Sequence, residues 1–517
     1  LVRINDKNHL ALSKKPDLIY TGNGRDGDIN FSGEENRNGV YCNEGMATLA
    51  LGYSMNSGRF TTSFRIALDK NGNLNPGKAD YSSAADEFKK FASLRLSNGA
   101  SFKSPDKEVN SLCSLSGLSL LNDSGSSDFS TVESYRKCFF HVAALNMAGF
   151  NSEAEKILKD MSLSLKLNRK KPEFEDAIKG AYIVKAYTGY YLHIRDMEFL
   201  QVNFNLLKDI GDYIYKYCSG IHSISEIDKT TLPYMFVRRS CSHDFIILAS
   251  AMTDMSYLSR CMGIFGDESK FKNESDRLQA VLRDSYRKLI EDGSSDEDEF
   301  YGLLALPDKG LPGLKDDEYN SLLFCIYNNS NFPVFNRILG VDNNATSILL
   351  NQLLILNNPL FTEFRKMFFS LTSGLFLTPE FIDPVTGCGC NGEGRSGITA
   401  SIYFVIIRNM FFIDREDRLE LFPVPEESWF VPGEKINVDA APSRFGLISF
   451  SVEAGERDIK FIFNDPPKYL PPDIMINLPF AASIIEGDDF IVKKYTSTSC
   501  IINGWPSVVR FKHSHNF

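Results

Sequence analysis

Carboxylates standing at loop-to-helix joints are the residues of this chain whose type and placement could do chemistry. Glu380 lies in Ser373-Gly-Leu-Phe-Leu-Thr-Pro-Glu-Phe-Ile-Asp-Pro-Val-Thr-Gly387, a Pro-punctuated loop ahead of an apolar run that begins at Gly397. Glu173, Glu175 and Asp176 precede the run from Ala177, Asp244 opens the run after Arg238-Arg239-Ser240, and Glu393 sits in Gly392-Glu-Gly-Arg-Ser-Gly397. Two carboxyl groups facing each other across a sugar can act as acid and base in glycosidic hydrolysis. Each also has a purely structural use: Glu175, Asp176 and Asp244 suit the positive end of a helix dipole, and Glu393 suits a solvated loop.

Other chemistries find less support. The seven histidines, among them His141, His193 and His243, form no H-x-x-x-H or H-E-x-x-H, which disfavours a zinc hydrolase. There is no G-x-S-x-G and no P-loop, and no G-x-G-x-x-G is expected between a strand and a helix. Cys388-Gly-Cys390 has no second ligand pair at zinc spacing, so neither a metal nor a cofactor is expected. The net charge is −10 without basic clusters, which argues against nucleic acid and anionic membrane as partners. Runs such as Phe245 to Ala251 and Ser401 to Phe412 are too short and interrupted for a ~20-residue membrane span. Ten cysteines in 517 residues, without the spacing of a disulfide scaffold, fit a reducing compartment and predict a cytoplasmic location. Secretion stays open, because the first residue is Leu rather than Met.

The elements that must position these carboxylates follow from periodicity. Up to about residue 80, Gly22-Asn23-Gly24, Asp26-Gly27 and Asn71-Gly72-Asn73 punctuate short alternating runs, which predicts an N-terminal β segment over 1–85, of β-sandwich type. A polar linker over 86–109 follows. From residue 110 the period is helical for about 300 residues, and the helices come in pairs. Tyr135 to Met147 is apolar on nearly every turn, and its partner from Ser152 to Leu163 on one stripe. Ala177 to Ile194 is followed by Met197 to Tyr217, which carries Leu200, Phe204, Leu207, Ile210 and Ile214 on one face. Phe245 to Met262 and Ser269 to Ile290 repeat the alternation, and looser members follow at Tyr319 to Tyr327, Ser347 to Leu356, Leu360 to Ser370 and Gly397 to Phe412. First helices apolar all round and second helices apolar on a stripe predict an inner ring wrapped by an outer one, an (α/α)6 toroid over 110–413. The period returns to two from Asp414, predicting a C-terminal antiparallel β module over 414–517. The acidic run Glu291 to Glu299 reads as a solvated loop.

The order of these segments resembles the six-hairpin glycosidases, nearest the glucoamylase- and trehalase-type enzymes, over roughly residues 80 to 413. Val132-Glu-Ser-Tyr-Arg-Lys-Cys-Phe-Phe-His141 is similar to the family's first hairpin, whose Arg-Asp pair reaches the sugar; here the pair is Arg136-Lys137. Leu232-Pro-Tyr-Met-Phe-Val-Arg-Arg-Ser240 looks like the segment that carries Trp-Glu, with the Glu as general acid; here those positions are Tyr234 and Met235. Leu377-Thr-Pro-Glu-Phe-Ile-Asp-Pro-Val-Thr-Gly387 is similar to the segment of the general base, which is present as Glu380. Phe422-Pro-Val-Pro-Glu-Glu-Ser-Trp429 and Ala441-Pro-Ser-Arg-Phe-Gly446 resemble the small β domain behind the toroid in rhamnosidase-like members.

The resemblance implies inverting hydrolysis of an α-glucoside or small oligosaccharide. Glu380 would be the base, Glu175, Asp176 or Asp244 a relocated acid, and Arg136, Tyr234, Arg238 and Glu393 the sugar contacts. Met cannot donate a proton, so Met235 and Lys137 equally admit a silent carbohydrate-binding or scaffold protein that keeps the fold. A toroidal lyase lacks a Tyr, His and Arg grouping to support it. The only two tryptophans, Trp429 and Trp505, fall in the C-terminal module, so Tyr and Phe would have to stack against a sugar in the toroid.

Overall fold

The computed structural model describes residues 2–4, 7–12, 18–23, 47–52, 64–66, 81–123, 129–220, 241–292, 335–336, 340–372, 379–383, 389–391, 396–487 and 490–513. They divide into two compact units, Leu1–Arg95 and Leu96–Phe517. In the first, Val2–Ile4, Lys7–Leu12 and Phe64–Ile66 form an antiparallel sheet, and Leu18–Asn23 pairs with Ala47–Gly52 in a separate ribbon. Helix α1 (Tyr81–Leu96) follows. Residues 86–109, read as a linker, carry most of α1 and the strand Ser101–Lys103.

The second unit begins with α2 (Lys107–Asp123), α3 (Val132–Ala148), α4 (Asn151–Ser164), α5 (Phe174–Ile194), α6 (Met197–Cys218), α7 (Cys241–Cys261) and α8 (Phe265–Asp292). It continues with α9 (Asn343–Ile355), α10 (Leu360–Thr372) and α11 (Gly397–Phe411). Local chemistry sets their ends. Thr131 Oγ1 accepts the Ser134 N–H at 3.2 Å to open α3. Gly149, at φ 84°, closes it with the left-handed turn that glycine adopts without steric cost, and the Phe150 N–H returns to the Leu145 carbonyl at 2.9 Å. Asp196, Asp342 and Ser396 cap α6, α9 and α11 in the same side-chain-to-backbone way.

Burial follows the pairing read from the sequence. On α3 and α5 nearly every turn is buried, whereas α4 buries a stripe of Ala154, Ile157, Leu158 and Met161. Leu200, Phe204, Leu207, Ile210 and Ile214 of α6 are all buried. The richly buried helices touch in the order α9, α11, α3, α5, α7, so the last helix of the series lies beside the first. The stripe helices pack outside them: α4 on α3 and α5, α6 on α5 and α7, α8 on α7, α10 on α9, and α2 on α11. Tyr319 to Tyr327 lies outside the described residues. A buried ion pair, Lys185 Nζ to Asp254 Oδ2 at 3.1 Å, fixes α5 against α7.

The C-terminal sheets complete this unit. Six strands pair antiparallel in the order Ala482–Gly487, Val508–His513, Asp458–Phe463, Gly446–Ala454, Lys435–Ser443 and Ser101–Lys103. Residues ahead of the first helical pair therefore supply an edge strand, with Phe102 opposite Val438. The other sheet orders Phe412–Asp414, Leu419–Leu421, Ile474–Asn477, Ser499–Asn503 and Ile491–Tyr495. Its pair Leu419–Leu421 with Ile474–Asn477 is parallel, a departure from the expected all-antiparallel module. Trp429, Phe430, Phe450 and Phe461 pack around Phe422, mostly edge to face.

Charge pairs bind helices to sheets. Arg408, 1% exposed at the end of α11, donates to Asp414 Oδ1 at 2.6 Å and to the carbonyls of Phe412 and Pro442 at 3.2 Å. Arg365 of α10 donates to Glu426 at 3.0 Å, and Arg415 pairs with the fully buried Glu420. Each of these carboxylates meets a guanidinium, and Asp414 and Glu420 accept further donors from the Arg444 N–H and from Asn357 and Asn477, the condition under which burial of charge is tolerated. Among the described residues no helix is long and apolar enough to cross a membrane, and no group of three His, Cys, Asp or Glu could hold a metal ion.

Candidate functional site

Glu380 stands at the start of the short strand Phe381–Ile382, in a four-stranded sheet ordered Gly389–Asn391, Phe381–Ile382, Gly340–Asp342, Phe335–Asn336. Phe381 faces Asp342 across one pair and Asn391 across the other. Gly389 is there because a side chain does not fit: a Cβ would come within 2.8 Å of Pro379 Cβ. Against the expectation from sequence, Gly392-Glu-Gly-Arg-Ser-Gly397, spaced G-x-G-x-x-G, does stand between this strand and α11, but the strand belongs to an antiparallel sheet rather than to the βαβ unit of a dinucleotide site.

The strand of Asp342 runs straight into α9. Asp342 Oδ1 accepts the Ala345 N–H at 2.9 Å, and the Thr346 hydroxyl returns to the Asp342 carbonyl at 2.6 Å. Asn343, fully buried, then holds the Glu380 segment from two sides. Its backbone N–H donates to the Glu380 carbonyl at 2.9 Å and its Nδ2 to the Pro379 carbonyl at 2.7 Å, while its Oδ1 accepts from the Tyr403 hydroxyl at 3.3 Å. Asn344 ties in the second helix: its Oδ1 accepts from Ser396 Oγ at 3.0 Å and from the Thr399 hydroxyl. Glu380 is thus pinned through its backbone to the joined N-termini of α9 and α11. Its side chain is partly exposed.

The remaining candidates fall in different settings. Glu175 is exposed, 3.7 Å from Lys179 one turn on, as a solvated first-turn acid would be. Asp176 is partly buried, and burial, reinforced by Glu173 and Glu175, holds its carboxyl above the ordinary aspartate range against Lys179 and a hydrogen bond from Tyr213. That Tyr213 hydroxyl, on α6, also accepts the Glu173 N–H at 2.8 Å, so Asp176 is tethered toward the outer helix. Arg136 reaches Glu133 at 3.4 Å in the first turn of α3. Asp244 falls in the first turn of α7, with its side chain outside the described residues; Tyr234, Met235, Arg238, Glu393 and Cys388 lie outside them altogether.

Sequence reasoning missed Asn343, Asn344, Thr399 and Tyr403. The signal was present in Asp342-Asn-Asn344 and in Ser396 three residues before Thr399, both of them helix-start patterns. Reading the ninth helix only from its apolar residues, Ser347 onward, placed its start one turn late.

No protein-family profile matches the chain, and no curated protein matches it by sequence. Solved structures do match in fold. An α-L-rhamnosidase from Dictyoglumus thermophilum aligns over 98% of this chain and 61% of its own, with a TM-score of 0.55 at 10% identity. A glycoside hydrolase aligns over 81% of this chain and 77% of its own (TM-score 0.40, 8% identity), and a sialidase over 82% and 44% (0.47, 9%). At such identities the likeness is one of fold, and it is the rhamnosidase alignment that defines a glycosidase-like fold. The chain spans 61% of the length of that enzyme.

Proposed function

We propose that this protein is a glycoside hydrolase of the six-hairpin type, acting on an α-linked glucoside, rhamnoside or small oligosaccharide, with Glu380 as general base. The observation that carries the reading is the fastening of Glu380 to the joined N-termini of α9 and α11 by Asn343, Asn344 and Tyr403. The return of α11 to the side of α3 supports a closed toroid, in which the starts of α5, α7, α9 and α11 share one rim. An N-terminal β-sandwich belongs to the same reading.

In the inverting reaction the Glu380 carboxylate takes a proton from water, whose oxygen attacks the anomeric carbon as the bond to the leaving oxygen breaks. A carboxylic acid on the opposite side of the sugar protonates that oxygen. Asp176 is the described candidate for this role, because a carboxyl held above its ordinary range retains its proton more readily. The test is sugar release from aryl glucosides and rhamnosides, with the first-formed anomer read by NMR. Glu380→Gln is expected to lower kcat by roughly 10²- to 10⁴-fold; an unchanged rate removes Glu380 from the mechanism. The second reading, saccharide binding without turnover, draws on Lys137 and Met235 and on the tether of Asp176 to Tyr213. It predicts saccharide affinity with no product from any glycoside.

A further inference from the structure

We propose that the C-terminal β module carries a saccharide-binding groove of its own, built on Trp505 and independent of Glu380. A depression of about 510 Å³ lies where the turn after strand Asp458–Phe463 meets the turn before strand Val508–His513, within the roughly 300–1,000 Å³ of small-molecule sites. The two turns are tied together, the Phe463 N–H donating to the Ser507 carbonyl at 3.0 Å. Gly504, at φ 108°, gives the chain a turn that a larger residue enters only under strain, and so delivers Trp505 to the rim.

The indole is fixed before any ligand arrives. Its N–H is already used on the Asn464 carbonyl at 2.8 Å, and one side rests edge to face on the buried Phe463 ring, 5.3 Å between centroids at 70°. The indole is partly exposed and lines the depression with its one hydrogen-bonding demand already met. Pro466 and Pro506 form stiff walls beside it. The side chains of Asn464, Asp465 and Ser507 line the same depression and make no hydrogen bond or ion pair among the described residues. A rigid aromatic plate ringed by an amide, a carboxylate and a hydroxyl with unused capacity matches a pyranose ring, which offers an apolar C–H face and a girdle of hydroxyls. One aromatic ring, rather than a cage of several, in a depression open to solvent between its two prolines favours a sugar chain lying across the surface over a buried cation.

The experiment is native affinity electrophoresis of the full chain in gels containing an α-glucan, a β-glucan or a rhamnose-containing pectin, with Trp emission followed in parallel titrations. At least one polymer is expected to retard the wild type and Glu380→Gln equally, with Trp505→Ala losing about tenfold in affinity and Trp505→Tyr retaining most of it. Asp465→Ala, an exposed change that leaves the plate in place, is expected to lose severalfold. Failure of all three polymers to retard the wild type overturns the proposal, as does Trp505→Ala binding like the wild type while folded. Loss of retardation in Glu380→Gln assigns the binding to the helical site and also overturns it; activity of the helical site bears on neither result.

Discussion

Replacing Arg408 by methionine removes a cation from a chamber in which its partner remains. Asp414 has only 9% of its side chain exposed: its Oδ1 receives Arg408 at 2.6 Å and its Oδ2 receives the Arg444 backbone N–H at 2.7 Å. Burial alone would push its carboxyl up, yet Arg408 and Arg444 hold it well below the usual aspartate range, while burial keeps the adjoining His193 low and neutral. Stranding one member of a buried pair typically costs about 3–5 kcal/mol, and the carbonyls of Phe412 and Pro442 lose a donor as well. Arg408→Met is therefore expected to lose about that much in urea unfolding followed by Trp emission, since Trp429 packs on Phe411 of α11 and Trp505 on Phe463 of the six-stranded sheet. Asp414→Asn in the same chain keeps an acceptor for Arg444 and discards the charge, and should restore roughly 1–3 kcal/mol. The pH dependence supplies the sign. A depressed native pKa makes the Asp414 contribution complete above the unfolded value near 3.9 and lost as pH falls below it. The variant, whose stranded carboxyl protonates more easily, should narrow its gap to wild type between pH 5 and 3. A loss under about 1 kcal/mol, with a pH profile parallel to wild type, would refute the argument.

Burial pushes the His141 imidazole down to about 4 despite its 2.9 Å hydrogen bond to the Leu120 carbonyl. The native state then resists protonation that the unfolded chain accepts at about 6.5, so stability is complete above that value and falls as the medium approaches pH 4. His141→Gln should remove on the order of 3 kcal/mol of this acid sensitivity, read as the difference in urea midpoints at pH 7 and 4; an undiminished difference counts against it. Gly99→Ala should destabilise by roughly 1–3 kcal/mol in thermal melts, because the new Cβ meets the Ala148 carbonyl oxygen at 2.6 Å, and that oxygen is held by the Ala100 N–H. Asn343→Ala should lower kcat with the Glu380-dependent activity while leaving the Trp505-dependent binding intact; equal loss of both would point to unfolding instead.

Hydrophobic period made the alternation of richly buried and striped helices legible, because the pattern is dictated by how much of each surface meets protein, and the stripe on α6 is buried residue for residue. The return of period two after α11 was legible for the same reason. What escaped was long-range pairing: nothing in Ser101-Phe-Lys103 says that its partner is Asn437 to Asp439, since three alternating residues carry no address. The parallel pair of Leu419–Leu421 with Ile474–Asn477 escaped likewise. At the candidate site, Glu380 drew notice through its Pro-bracketed loop. The residues that fasten it were invisible as a group because Asn343, Ser396 and Tyr403 converge only when two helices separated by about 50 residues set their first turns side by side.

The edge strand Ser101–Lys103 has a consequence for the order in which the chain can finish folding. Its register partners around Asn437 emerge from synthesis roughly 330 residues later. At about 5–20 residues per second, Phe102 must wait some ~15–70 s before Val438 exists to receive it. The helical pairs can assemble locally in the meantime, but the strand that leads into them stays an unclosed seam until the last sheet arrives. A nascent chain stalled near residue 413 would therefore present this strand and the ends of the helices to a chaperone, and the C-terminal module acts as the clasp that makes the preceding helices final.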